Sequence, residues 1–179
     1  VVSLSTAAIA AFNASQLKAL GKDDVAVLAA SQVAVLSSTQ VAAFSTTQIA
    51  AMTTSQVGAL AGTMTTAQIG VLSTKQIAGV STTTMAALST AQLAAISTKD
   101  IAALTTAQLG AVATADLAVL STAQITAMTT AQVGALAAKM STAQIGALTV
   151  TQTAGLSTSV IGALSTTQLQ SISTKDIVA

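Results

Sequence analysis

The chain has 179 residues, 52% hydrophobic but only 6% charged, and its net charge is +1. That much aliphatic side chain with so little charge excludes a disordered chain, and the lack of Arg, of a basic patch and of stacking aromatics excludes nucleic-acid binding. His, Cys and Glu are absent, which removes imidazole relays, thiol nucleophiles, disulfides and the usual zinc sites; no catalytic, cofactor-binding or metal residue is expected, and the chain reads as no enzyme.

In chain order, an eight-residue phrase begins at Ser5 and runs without a gap to Leu60. It resumes from Thr65 to Leu136 and from Ser141 to Ile172, with a partial copy over Ser173–Ala179. The phrase is Ser/Thr, Thr, variable, Gln, aliphatic, small, small, aliphatic, as in "STAQIGAL" at 141–148. Four-residue inserts, "AGTM" at 61–64 and "AAKM" at 137–140, separate the blocks.

The inserts lie 76 residues apart, and other irregularities share that spacing. Asp24, Asp100 and Asp176 are equivalent, and so are Ala8, Thr84 and Val160, which replace the fourth-position Gln. A unit of nine octads plus four residues has therefore been duplicated. Residues 1–179 form a single repeat array; it begins inside an octad and without Met, so it reads as a window of a longer one.

Each octad carries the signals of a short helix. Ser or Thr at the first position caps a free backbone N–H, and Gln three residues later returns a bond to the cap's own N–H, a capping box. The aliphatics before the cap and after the Gln can form a hydrophobic staple, as Leu120 and Ile125 would around Ser121 and Gln124. Asp at the fourth position (Asp24, Asp100, Asp116, Asp176) suits a helix N-terminus. Lys75, Lys99 and Lys175 precede that position and should point to solvent.

A helix this short does not survive alone in water, so neighbouring octads must hold it. One continuous helix fails, because eight residues at ~100° each advance the apolar pair by about 80° and spiral it around the axis. A β-solenoid would use the many Thr, but aliphatics three apart would face opposite sides of a strand, and Ala and Gln favour helix. The prediction is all-α: an elongated solenoid of short capped helices, one per octad, with the 76-residue period superimposed. The small residues after the fifth position, Gly58, Gly70, Gly110, Gly134, Gly146 and Gly162, with Gly79 and Gly155 one place later, suggest close approach of neighbouring helices. If successive octads reverse direction, two make one coil, and the insert acts as a shortened tenth element that restores five coils per 76 residues.

Other motifs reduce to the same pattern. The adjacent carboxylates Asp23 and Asp24 read as a solvated helix start, and "GKDD" at 21–24 lacks phosphate-loop spacing. Asn13–Ser15 fits a glycosylation acceptor, yet Asn13 occupies a cap position where Asn is favoured. No run approaches the about 20 consecutive apolar residues of a membrane span. Rows of Thr after the caps (Thr6, Thr46, Thr54, Thr66, Thr74 and successors) would line up along the solenoid.

The recurring "STAQIGAL", "TTAQVGAL" and "STTQIAAM" resemble octapeptide arrays of very large repetitive bacterial proteins of the cell surface and secreted space, of adhesin, matrix or filament type. The resemblance covers nearly every residue from 4 to 179 and brings no catalytic residues with it. It implies an extracellular or cell-surface location and a structural, self-associating fibre, stalk or matrix protein whose partner is itself. The alternative is a surface-binding adhesin module whose Thr rows recognise carbohydrate, ice or mineral.

Overall fold

In the computed structural model, which describes residues 3–173, the chain is all-α, with no strand among those residues. It divides into two compact units, Val1–Ile96 and Ser97–Ala179. The expectations for Lys175 and Asp176 lie outside the described residues.

In the first unit the helices are α1 (Thr6–Ala10), α2 (Ala14–Ala19), α3 (Lys22–Ala26), α4 (Ala30–Val33), α5 (Ser38–Ala43), α6 (Thr46–Ala51) and α7 (Thr54–Leu60). After a 3₁₀ turn at Ala61–Thr63 come α8 (Thr66–Ile69), α9 (Thr74–Ala78), α10 (Thr82–Ala86) and α11 (Thr90–Ala94). The second unit holds α12 (Thr98–Ala103), α13 (Thr106–Gly110), α14 (Thr114–Leu117), α15 (Thr122–Ala127) and α16 (Thr130–Leu136), then a 3₁₀ turn at Ala137–Lys139. It continues with α17 (Thr142–Gly146), α18 (Val150–Ala154), α19 (Thr158–Ala163) and α20 (Thr166–Ser171). There is one helix per octad, as the periodicity predicts.

Helix starts follow the capping signal. All caps but Gly21, Ala29 and Ala113 accept the N–H of the fourth residue on a side-chain oxygen, for example Ser45 from Gln48 and Thr53 from Gln56. Asn13 does the same, its Oδ1 accepting from Gln16 N at 2.9 Å while Gln16 Oε1 accepts from Asn13 N at 2.9 Å. Termination needs no glycine. The eighth and first residues are both extended, as at Met52 (φ −65°, ψ 148°) and Thr53 (φ −71°, ψ 160°), and they turn the corner together. No described residue has positive φ, so any L-residue can occupy a corner.

The core is built from the fifth and eighth positions. Ile9, Leu17, Val25, Val41, Ile49 and Val57 are fully buried fifth residues, and Leu28, Leu36, Phe44, Met52 and Leu72 are buried eighth residues. Burial of a Leu- or Ile-sized side chain contributes about 1.5–3 kcal/mol, which holds together helices too short to stand alone.

The stacking corrects the expectation of two octads per coil. In the first unit α4 packs on α1, α5 on α2, α6 on α3 and α7 on α4. In the second, α15 packs on α12 and α16 on α13. Each helix lies on the one three places back, so three elements make one coil. The 3₁₀ turns count as elements: the first packs between α5 and α10, while α8 lies on α6 and α9 on α7. The insert is thus a shortened element, as expected, but it takes its place in a count of three. The eight-residue period fixes what one element is; the corner angle, which it does not encode, fixes how many close a turn.

Candidate functional site

Among the described residues, a chemically distinctive feature that recurs in the interior is a buried amide at most corners. Gln48, Gln56, Gln68, Gln76, Gln92, Gln108, Gln124, Gln132, Gln144, Gln152 and Gln168 are all buried. Burying an amide is unfavourable unless its hydrogen-bonding capacity is filled, and here it is filled in two directions. Gln56 Oε1 accepts from its own cap, Thr53 N, at 2.7 Å. Its Nε2 donates to Val25 O at 2.8 Å and Leu28 O at 2.7 Å, in the coil below. The orientation of the amide is unambiguous: the cap N–H can only donate and the carbonyls can only accept.

The acceptors are the fifth and eighth carbonyls of the element four places back. The fifth already takes the eighth residue's N–H, as Val25 O does from Leu28 N at 3.2 Å, and the amide adds a second bond, while the eighth lies past the helix end. Gln48 takes Leu17 O and Leu20 O, 31 and 28 residues earlier. Gln68 takes Val41 O and Phe44 O, 27 and 24 earlier, because an insert intervenes. The separation shrinks by four, the difference between an octad and an insert. Gln92 bonds Ala61 O and Met64 O, and Gln168 bonds Ala137 O and Met140 O. An insert is therefore the back half of an octad, with Ala61 or Ala137 at the fifth place and Met64 or Met140 at the eighth, all four buried.

Sequence reasoning assigned Gln to the capping box and missed this second bond set. A signal was present: Glu serves a capping box as well as Gln, so a neutral side chain that accepts at one end and donates at the other is required only if both ends are engaged. Asp24, by contrast, is exposed at the first coil, where its Oδ2 accepts from Gly21 N at 3.3 Å. Asp100 is buried, with its carboxylate accepting from Ser97 Oγ at 2.6 Å.

Close approach accounts for only some of the glycines. A Cβ on Gly79 would lie 2.0 Å from Thr54 Cγ2, and one on Gly155 would lie 2.2 Å from Thr130 Cγ2. On Gly146 it would meet Ser171 O at 3.0 Å. Gly110, Gly134 and Gly162 face open space, so the expectation of close packing fails for them.

The outward face is hydroxyl, methyl and little else. Thr46, Thr66 and Thr90, the second residues of the stacked helices α6, α8 and α11, are exposed. Thr6 is exposed too, whereas Thr54 and Thr74 are half-buried. Seventh-position valines add apolar surface, from Val119 at 38% exposed to Val27 at 51%. Lys75 and Lys99 point to solvent, as expected. Asp23 pairs with its neighbour Lys22, Nζ to Oδ1 2.7 Å, both well exposed; Asp23 and Asp24 stay at a solvated helix start. Among the described residues no cluster of acidic side chains could hold a metal ion, and no helix is long and apolar enough to cross a membrane.

A family model described as the ALTTAQ repeat matches residues 25–61, 81–114 and 107–139. These segments run from the end of α3 through α7 and from α10 through α16. No curated protein and no solved structure matches the chain. With more than half of its residues matched, the chain belongs to the ALTTAQ repeat family.

Proposed function

We propose that the array is a structural, self-associating protein that forms an extracellular fibre, stalk or matrix, and that it carries no catalytic activity. The observation that supports this reading is the contrast between interior and surface. Inside, corner amides and backbone carbonyls satisfy one another coil after coil, so the unit extends without a designed end. Outside, Thr, Ser, Ala and scattered Val offer little charge to hold copies apart. The bacterial surface setting rests on the resemblance of the octads to secreted repetitive arrays.

Analytical ultracentrifugation across a concentration series, with electron microscopy of the same samples, tests it. Self-association into filaments or sheets is expected; a chain that stays monodisperse at high concentration contradicts it.

A second reading is a surface-binding adhesin module, and the exposed Thr46, Thr66 and Thr90 on stacked helices favour it. Replacing these three by Lys would abolish binding to carbohydrate, ice or mineral while leaving the helical signal unchanged. If the substitutions disturb assembly instead, the structural reading gains.

A further inference from the structure

Two irregularities of the array meet at a single corner. Helix α7 does not stop at the eighth residue: the backbone stays helical through Leu60 (φ −112°, ψ −19°) and Ala61 (φ −52°, ψ −38°) into the insert turn. The two carbonyls at the positions that elsewhere receive a Gln from the coil above take different local donors here. Val57 O accepts the Ala61 N–H, and Leu60 O accepts the Thr63 hydroxyl at 2.8 Å. The fourth residue standing over this corner is Thr84, whose hydroxyl lies 2.9 Å from its own cap, Ser81 Oγ, and meets the coil below at Gly58 O, at 3.5 Å.

The second unit repeats the arrangement. Helix α16 continues through Leu136 (φ −113°, ψ −14°) and Ala137 (φ −49°, ψ −44°), and Val133 O accepts the Ala137 N–H. Val160 stands over it and donates nothing from its side chain. Thr84 and Val160 each lie 20 residues beyond the last residue of an insert. An insert has no front half, so it supplies neither cap nor Gln. One corner therefore lacks the cross-coil amide in two successive coils, at the insert and at the octad three elements later. In the second unit the insert's exposed Lys139 partly substitutes, donating from Nζ to Gly110 O at 2.9 Å.

We propose that each insert and the Gln-free octad above it form one matched device, a seam at which the coils part before they part elsewhere. The apolar core runs through it intact: Leu60, Ala61, Met64 and Met85 are buried. Flexible Met side chains, suited to filling irregular space, occupy two of those places. The seam thus opens locally without unfolding the array. This holds whether or not the array self-associates.

Native-state hydrogen exchange on the 179-residue chain tests the proposal. Met85 and Leu88 occupy the fifth and eighth positions over the first insert, and Ile77, Val80, Leu93 and Ile96 occupy the same positions in the flanking octads. All make the same local backbone bonds; Met85 N donates to Ser81 O at 2.9 Å, Ile77 N to Ser73 O at 3.0 Å and Leu93 N to Ser89 O at 2.9 Å. Differences therefore report cross-coil support. The Met85 and Leu88 amides are expected to exchange roughly tenfold faster, about 1.4 kcal/mol of local stability. Uniform protection overturns the proposal. A variant lacking residues 61–64 and carrying Thr84→Gln restores a regular corner beneath a Gln, and should erase the difference; a difference that persists there overturns the proposal equally.

Discussion

Gln56 Nε2 donates to Leu28 O across 2.7 Å, joining the front of one helix to the back end of a helix 28 residues earlier. The same amide holds Val25 O and the Thr53 N–H, so one side chain bonds three backbone groups, of which Val25 O also accepts locally from the Leu28 N–H. Gln56→Leu keeps the volume and removes all three partners. It should cost about 3 kcal/mol, read as a lower denaturant midpoint with the helical spectrum retained.

Gln56→Glu separates hydrogen bonding from shape. A carboxylate still accepts from Thr53 but faces Val25 O and Leu28 O with no proton to give, and its buried charge is unfavourable. Burial and two facing carbonyls raise its folded-state pKa above the unfolded value. The folded state then binds the extra proton more tightly, so the variant gains stability as pH falls from about 7 towards about 4, where the acid can donate to one carbonyl. A melting series over that range should show the variant recovering relative to the parent protein; a parallel pair of curves would contradict the assignment.

Thr153 occupies a fifth position, where the preceding 76-residue copy has Ile77. Its hydroxyl is buried and has no hydrogen-bond partner, an arrangement that costs about 1–3 kcal/mol. Thr153→Val, which keeps the shape, and Thr153→Ile, which restores the repeat residue, should both stabilise the second unit by about 1–2 kcal/mol. Thermal melts read the change directly, and a loss of stability in the Val variant would mean that the hydroxyl has a role.

The glycines divide into two groups with opposite expected signs. Gly79→Ala drives a methyl into Thr54 Cγ2 and should destabilise, with Thr54→Ala in the same chain recovering most of the loss. Gly110→Ala meets open space inside a helix and should stabilise by about 0.5–1 kcal/mol. Paired denaturation curves of these variants distinguish steric need from simple tolerance of a small residue.

Much of this architecture could be read from eight letters. Ser45 with Gln48, or Asn13 with Gln16, announces a helix start through chemistry that is local in sequence, and Ile49 with Met52 marks the buried face by spacing alone. The coil number was not legible, because it depends on the angle made by two extended residues such as Met52 and Thr53, which the pattern does not specify. The corner role of Gln was hidden for a related reason: its acceptors, Val25 O and Leu28 O for Gln56, are backbone groups that every residue carries. The pairing of insert and Gln-free octad did leave a trace, since Thr84 and Val160 keep the same distance from the inserts. That spacing acquires a meaning only when the coil is known to contain three elements.

The most direct test of the three-element coil is a nuclear Overhauser experiment on the chain with its Gln side chains labelled. The account predicts cross-peaks from the Gln56 side-chain amide protons to the backbone at Val25 and Leu28, and from those of Gln76 to Ile49 and Met52, where an intervening insert shortens the separation to 27 and 24 residues. Cross-peaks linking each Gln to octads two places back would contradict it, and so would side-chain amides that exchange freely with solvent and show no long-range contact.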